Sequence, residues 1–301
     1  MIRVIALLTS VVAISVSLLS ALPAAASPFT FNTGAVTNLM ATASRPESAG
    51  KFEIESADDF FLTSATSITS ATFTGLITGP SPLNSIGEVR VEIYRVFPAD
   101  SDTARTSFPV PPFSTAQVPA RQNSPSDVEF DDRDTSPAPG NLKFTVKDLG
   151  SFSALNSVQP GGIHPLPGLT TGGSGPITGE EVEFDVTFTT PFSLPPDHYF
   201  FVPQVEITSG GEFLWLSGTR PLVPSPFPPG ITDLQSWTRD DVSPNNLAPD
   251  WARVGTDIVG GATPPTFNAA FSLTGIIPEP ATWWLVSLGM IMLIGWPRRR
   301  V

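Results

Sequence analysis

The sequence predicts an all-β protein, an antiparallel β-sandwich of jelly-roll-like form with long loops rich in proline and glycine. The first observation is that apolar and polar residues alternate with a period of two in several segments, as in strands with one buried and one solvated face. The second is that turn-forming residues bound these segments in a chain with 33 prolines and 24 glycines. The third is that helical periodicity is missing between the two terminal segments. Crossover helices are therefore not expected, and the strands should pair antiparallel.

The N-terminus predicts a secretory signal peptide, residues 1–26, with a helical apolar segment. Arg3 supplies a positive charge, residues 4–22 are uncharged and mostly apolar, and Pro23 breaks the helix. Ala24 and Ala26 form an Ala-x-Ala cleavage site. The alternative, an uncleaved N-terminal anchor, gives these small residues no role.

The strand pattern is clearest in four segments, residues 89–93, 142–146, 182–188 and 267–273. In the first of them, Val89, Val91 and Ile93 alternate with Arg90 and Glu92. Four segments with a less regular pattern are also predicted to be strands: residues 59–62, 67–77, 199–207 and 213–216. About eight to ten strands in two sheets are therefore expected. The rival all-β architecture, a parallel β-helix, requires a short repeat that is not found.

Two local features refine the fold prediction. Pro203 interrupts one predicted strand, and it should lie at an edge or a bulge because proline cannot donate a ladder hydrogen bond. The phrase Ala57-Asp58-Asp59-Phe60, with the strand-like segments up to residue 96, resembles the opening of jelly-roll-like sandwich modules in secreted bacterial proteins. That resemblance implies the fold and no particular activity.

Long connections are predicted at residues 98–141 and 159–179, with a proline-rich segment at 221–232. The first of them contains two runs of aspartate. Because carboxylates on alternate residues can direct several oxygens at one hard cation, calcium is the candidate ligand of this connection. The alternative is solvated loop aspartate, and neither run matches a complete calcium loop. The candidate metal ligands are Asp100, Asp102, Asp131, Asp132 and Asp134.

Catalytic motifs are weak, and the sequence predicts a protein that is not an enzyme and requires no cofactor. Cysteine is absent from the sequence, which excludes thiol nucleophiles and cysteine-bound zinc. Ser174 lies in a glycine-rich stretch without the strand-turn-helix setting of a nucleophile elbow, and the two histidines are His164 and His198. Asp58-Asp59 and Asp240-Asp241 are either parts of a site or caps of strand ends.

Tryptophans offer a possible carbohydrate-binding face. Trp237 and Trp251 are flanked by charged residues, so partial exposure and stacking on sugars are expected of them. Trp215 lies in a short apolar strand and is expected in the core.

The C-terminal 24 residues, 278–301, have three parts in order. Pro278-Glu279-Pro280 should stay extended, because proline fixes φ and lacks an amide donor. The uncharged residues 281–296 predict a transmembrane helix of about 24 Å, a little short of the roughly 30 Å hydrocarbon core. The helix is followed by the basic residues Arg298, Arg299 and Arg300, which should remain cytoplasmic and place the preceding chain outside.

This tail resembles the PEP-CTERM sorting signal of Gram-negative bacteria, the substrate signal of an exosortase. The resemblance implies an exosortase-like processing enzyme as partner and transient insertion in the inner membrane through the C-terminal helix. The product would then reside in the cell envelope, at the cell surface or in the extracellular matrix, as a structural or binding component associated with extracellular polysaccharide. A carbohydrate-binding module or a secreted hydrolase is the alternative, as is an unprocessed C-terminal anchor.

The exported body is then residues 27–277. It keeps 12 of the 16 basic residues and 27 of the 28 acidic residues, a net charge of −15, because the removed segments contain Arg3, Glu279, Arg298, Arg299 and Arg300. Such a charge argues against nucleic acid as a partner. It suits a soluble exported protein or one that binds cations.

Overall fold

The computed structural model describes residues 26–48, 50–80, 82–103, 123–138, 140–163, 170–220, 232–240 and 251–278. These residues are nearly all β and form two sheets, so the all-β, sandwich-like prediction is confirmed. Residues 28–276 form one compact unit, and residues 1–27 with 277–301 form a second. Most of this second unit, including both predicted terminal helices, lies outside the described residues. In the described part of the chain, helices long and apolar enough to span a membrane are not found.

The first sheet has eight strands. They are β1 (Ser27–Asn32), β2 (Val36–Ala43), β4 (Thr66–Ile77), β7 (Leu142–Ala154), β8 (Ser157–Val158), β9 (Ile177–Leu194), β11 (Phe213–Gly218) and β14 (Phe271–Ile277). The central strand is β4, which pairs with β9 on one side and with β14 and then β11 on the other. Beyond these neighbours, β7 continues the sheet from β9, β1 from β14, and β2 with β8 from β11.

The second sheet has six strands. They are β3 (Ile54–Phe61), β5 (Ile86–Arg95), β6 (Asp131–Asp134), β10 (His198–Ile207), β12 (Trp237–Asp240) and β13 (Ala252–Arg253). Their order is β13-β12-β3-β10-β5-β6. Short helical turns occur at Pro82–Ser85, Pro160–Gly162 and Val254–Val259.

The main core lies between the sheets and is rich in aromatic rings. Phe73 of β4 and Phe184 of β9 are directly paired across their strands and stack with ring centroids 4.9 Å apart. Phe201 of the second sheet stacks on Phe271 of the first at 5.0 Å. The first contact lies within the first sheet, and the second joins the two sheets. Phe184 alternates with polar residues in the sequence, which is why period-two patterning predicted that it faces the core.

Most predicted strands are found, and two are shifted. The predicted strand 59–62 is the end of β3, which begins earlier, at Ile54, and ends at Phe61. Strands β4, β5, β7, β9, β10 and β11 lie where alternation predicted them. The segment 267–273 becomes a strand only from Phe271, because the main chain before it bonds to Ser236, Gly218 and Leu216 in turn instead of to one strand. The described part of the chain has more strands than expected, because short elements such as β6 and β8 are too brief to show a period.

Two pairings depart from the expected pattern. Strand β8 pairs with β2 in parallel over two residues, whereas ten other strand pairs of the described sheets are antiparallel. Pro203 lies in β10, which is an inner strand, but the pairing of β10 with β3 covers only residues 198–201. The proline is therefore beyond that ladder, on a side where it need not donate.

The outer face of the first sheet is rich in hydroxyl groups and carries two lysines among its carboxyl groups. Ser272, Thr72, Asp185 and Thr145 form one row across four strands. The adjacent rows carry Thr274, Ser70, Thr187 and Lys143 on one side and Thr74, Glu183 and Lys147 on the other. The edge strand β7 is protected from pairing with another chain by its lysines and by the register shift between Asp148 and Gly150.

Candidate functional site

The five predicted calcium ligands are not brought together. Asp100 forms a two-point contact with Arg95, with Nε to Oδ2 at 2.6 Å, and hydrogen bonds from Arg95 lower the pKa of Asp100. Asp131 accepts from Arg133 at 2.6 Å, while Asp102 donates its amide to a different carboxylate, that of Asp127. Groups of three or more potential ligands placed to hold a metal are not found among the described residues. Calcium binding by this set, which also includes Asp132 and Asp134, stays a prediction.

The expected exposure of Trp237 and Trp251 is wrong, since their exposed fractions are 1% and 2%. Their indole N–H groups donate to main-chain carbonyls, of Leu234 and Ser126 respectively. The neighbouring charged residues do not mark a surface, because the guanidinium group of Arg239 lies 4.5 Å from the Trp251 ring and covers it. Neither ring presents a face on which a sugar could stack. Trp215 is buried, as expected.

The predicted sorting residues flank the body. Ala26 directly precedes β1, and Pro278 directly follows β14. The remaining residues of the predicted motifs lie outside the described residues: Ala24, Glu279, Pro280, Arg298, Arg299 and Arg300.

The Asp58-Asp59 pair belongs to a buried charge network around Arg220. Both aspartates are fully buried, and the Arg220 guanidinium donates to carboxylate oxygens of each and to the main-chain oxygen of Asp59. It also donates to Asp233 at 2.7 Å and to Asn268 Oδ1 at 2.8 Å. The network thus ties β3 to the segments that hold Asp233 and Asn268.

The pKa shifts in this network show that Arg220 and Asp58 favour each other's charged forms. Burial raises the pKa of Asp58 well above its usual value, and the attraction of Arg220 opposes that shift. Burial alone would lower the pKa of Arg220, but Asp58 and Asp59 more than offset it, so the pKa is raised. His198 Nε2 lies 2.6 Å from Asp59 Oδ2. These contacts occupy both carboxylates and hold the main chain around them.

A second cluster lies on the outward surface of the second sheet, named here the acidic face. Val89, Val91 and Ile93 point into the core, so the alternate side chains of β5 point outward. The same alternation on the neighbouring strands completes the surface. Its carboxyl groups are Glu53, Glu55, Glu88, Glu92, Glu206, Asp132 and Asp134, and its guanidinium groups are Arg90 and Arg239.

The deepest part of the acidic face centres on Tyr94. Its hydroxyl donates to Glu55 Oε1 at 2.5 Å and lies 3.3 Å from Glu92 Oε2. Arg239 donates to both oxygens of Glu55 and, at 3.0 Å, to the Tyr94 hydroxyl. Two carboxyl groups from different strands therefore flank one phenol, and the Arg239 guanidinium is bound to one of them, Glu55.

The pKa values of these carboxyl groups reflect their burial. Burial raises the pKa of Glu92 well above its usual value, and the nearby charges of Glu55 and Glu53 raise it further. Burial also raises the pKa of Glu53, with Glu55 as the next cause. The folded protein therefore favours protonation at Glu92.

Replacement of Glu92 by glutamine should make stability less sensitive to pH. Because the pKa of Glu92 is raised on folding, its stabilising contribution is complete below the unfolded value of about 4.5 and is lost as pH rises through the folded value. Glutamine keeps the neutral form, so the unfolding free energy of Glu92→Gln relative to the unaltered protein should increase as pH rises. Urea titrations over roughly pH 4 to 8 measure this difference. The control is Glu183→Gln on the first sheet, and a difference for Glu92→Gln that stays constant with pH contradicts the prediction.

Gln204 lies beside this cluster with one half of its amide satisfied. Its side chain is fully buried, and its Nε2 donates to Glu53 Oε1 at 3.0 Å. The Oε1 atom is buried and has no hydrogen-bond partner among the described residues. Arg90 lies nearby, with its NH1 atom 3.4 Å from Glu53 Oε1 and 3.6 Å from Glu92 Oε1. An acceptor is thus left open inside an acceptor-rich cluster.

A small cavity lies elsewhere, between the ends of β2, β11 and β12. Its volume is about 10 Å³, and its lining includes Trp215, Ser217, Ser236 and Asn268. That is room for about one water molecule.

Sequence reasoning missed the residues that organise both clusters. Arg220 lies next to a proline-rich segment that was predicted to be a connection. Arg239 is one of the charged residues near Trp237 and Trp251 from which the exposure of these rings was predicted. The polar residues of β5 were predicted to lie on a solvated face. They do point away from the core, but nothing in the sequence indicates how deeply they are buried. The one available signal was the density of charge on alternate positions of a strand.

Comparison with protein-family models, with curated proteins and with solved structures gives no match to this chain. Function is therefore inferred from the chain's own residues and geometry.

Proposed function

We propose that this chain is an exported, non-catalytic protein of the envelope, cell surface or extracellular matrix of a Gram-negative bacterium, with a jelly-roll-like body. It is sorted through its C-terminal PEP-CTERM-like tail, inserted transiently in the inner membrane and processed by an exosortase-like enzyme. It then serves as a structural or binding component among extracellular polysaccharide.

The observation that carries this proposal is the position of the first and last strands. Strand β1 begins at Ser27, directly after Ala26, and β14 ends at Ile277, directly before Pro278. The two strands are neighbours in the first sheet, and the Thr33 amide donates to the Phe271 carbonyl at 3.0 Å. Cleavage at both predicted boundaries would therefore leave every described strand intact.

The burial of the converging carboxyl groups supports a non-catalytic role. A hydrolase would use Glu55 and Glu92, the two carboxyl groups that flank the Tyr94 hydroxyl. Their exposed fractions are only 4% and 6%, and Arg239 and Tyr94 occupy the oxygens of Glu55. A substrate would have to displace these groups before it reached either carboxyl.

The processing step is tested by the intact mass of the protein recovered from its native host. We expect a product that lacks residues 1–26 and the tail from about Pro278 onward. A variant with Pro278, Glu279 and Pro280 all replaced by alanine should stay membrane-bound and keep its full C-terminus. Pro80→Ala, in a turn of the body, is the control and should be processed normally. Recovery of a native-host product that still contains Arg298, Arg299 and Arg300 would contradict the proposal.

A further inference from the structure

We propose that the acidic face of the second sheet binds a polysaccharide whose repeating units carry primary ammonium groups. This inference rests on the proposed function, which places the protein among polysaccharides, and it adds the class of ligand and the surface that recognises it.

The first argument is charge complementarity. The acidic face has seven carboxyl groups around two guanidinium groups, whereas on β7 and β9 of the first sheet Lys143 and Lys147 offset part of the charge of Asp148, Glu180, Glu181, Glu183 and Asp185. The acidic face thus has the larger excess of negative charge of these two surfaces. A cationic ligand gains from this distribution, while a neutral sugar chain does not.

The second argument is the unsatisfied amide oxygen of Gln204. Leaving a buried acceptor without a donor costs about 1–3 kcal/mol, so an open acceptor in a native structure calls for a partner. The ionised carboxylates of this face and the Gln204 oxygen only accept hydrogen bonds, and an ammonium group only donates them. The ligand class that satisfies both is an ammonium group.

Arg90 is a residue of the protein that donates to the carboxylates beside Gln204. It reaches from β5 to Glu53 and Glu92 at 3.4 and 3.6 Å, contacts that are longer than its 3.0 Å contact with Glu88. Its side chain is 30% exposed, so it can swing away into solvent. Arg90 is the protein's own cation at Glu53 and Glu92, and an external ammonium group replaces it in these contacts.

The flat arrangement favours a polymer over a single ion. Calcium takes six to eight oxygens at about 2.3–2.6 Å, and a cluster of that kind is not found among the described residues. Instead the acidic groups recur on neighbouring strands, with Glu92 paired to Asp132 and Arg90 to Asp134. Neighbouring strands are about 4.8 Å apart, so a ligand with several separated positive charges matches the surface.

The test is calorimetric titration of the exported product of the full chain with glucosamine hexamer, whose amines are protonated. Matched titrations use the neutral N-acetylglucosamine hexamer, hexalysine and calcium alone. We expect binding of the glucosamine hexamer that weakens as ionic strength rises, and no binding of the acetylated one. Asp132→Asn combined with Asp134→Asn should weaken binding by about two- to thirtyfold, the range for two exposed ion pairs.

Two further variants separate this surface from general charge attraction. Glu183→Gln combined with Asp185→Asn removes the same number of charges from the first sheet and should leave the affinity unchanged. Arg90→Gln should tighten binding by at least about twofold, because the competing cation is gone. A gain in affinity cannot come from a misfolded variant.

Several results would overturn the inference. These are no heat with the glucosamine hexamer, an equal loss in the first-sheet control, or binding of hexalysine as tight as that of the sugar. A saturable calcium signal that the Asp132 and Asp134 changes abolish would assign the surface to an ion instead. Each of these leaves the mass and location of the native product untouched, so failure here is distinct from failure of the proposed sorting.

Discussion

Replacement of Arg220 by methionine should lower the free energy of unfolding by about 3–5 kcal/mol. The Arg220 side chain is completely buried, and its guanidinium group is the cation shared by Asp58 and Asp59, which are also completely buried. Methionine fills much of the volume but leaves these carboxyl groups without their counter-charge. Because removing one partner of a buried ion pair leaves an uncompensated charge, the loss should exceed that of any surface ion pair.

Denaturant titration of the purified protein measures this loss. Lys147→Met is the control, because Lys147 pairs with Glu183 at the surface and should contribute less than about 1 kcal/mol. Adding Asp58→Asn to Arg220→Met should recover part of the stability, since it removes one of the stranded charges. If Arg220→Met and Lys147→Met have equal effects, the buried network does not stabilise the fold in the way described.

Replacement of Phe184 by alanine should also cost about 3–5 kcal/mol. Phe184 is fully buried and stacks on Phe73, and its ring lies 5.6 Å from Phe213 and 6.0 Å from Phe144. Alanine leaves a cavity among rings from three other strands, which cannot all move inward to fill it. The lost burial and the cavity both add to the cost.

Leu155→Ala is the matched control for Phe184→Ala, because 61% of Leu155 is exposed. Its unfolding free energy should stay within about 0.5 kcal/mol of that of the unaltered protein. A loss below about 1 kcal/mol for Phe184→Ala would mean that the ring is not part of a close-packed core.

Strands with a regular period could be predicted from the sequence because their pattern depends only on neighbours along the chain. Val182, Phe184 and Val186 face the core for that reason, and the predicted position of β9 is correct. The start of β14 was misplaced because residues before Phe271 keep the same alternation while bonding to several different segments. Periodicity reports which way side chains point, and it does not report which main chain lies alongside.

The buried clusters could not be predicted, since their members meet only in the folded protein. Glu55 and Arg239 are 184 positions apart in the sequence. Arg239, a charged residue that suggested an exposed Trp251, in fact pairs with the Glu55 carboxylate and covers the ring. A charge in the sequence favours solvent only until a partner of opposite sign is placed beside it.

The placement of β14 has a consequence for the order in which the body can fold during synthesis. The central strand β4 is made early, but its partner β14 comes about as late as the body allows, with Thr72 and Ser272 hydrogen-bonded across 200 positions. Thr33, next to β1, contacts Phe271 across 238 positions. Contacts of such long range form slowly, because loop closure must precede them. The nascent chain therefore cannot complete its first sheet until Ile277 is available.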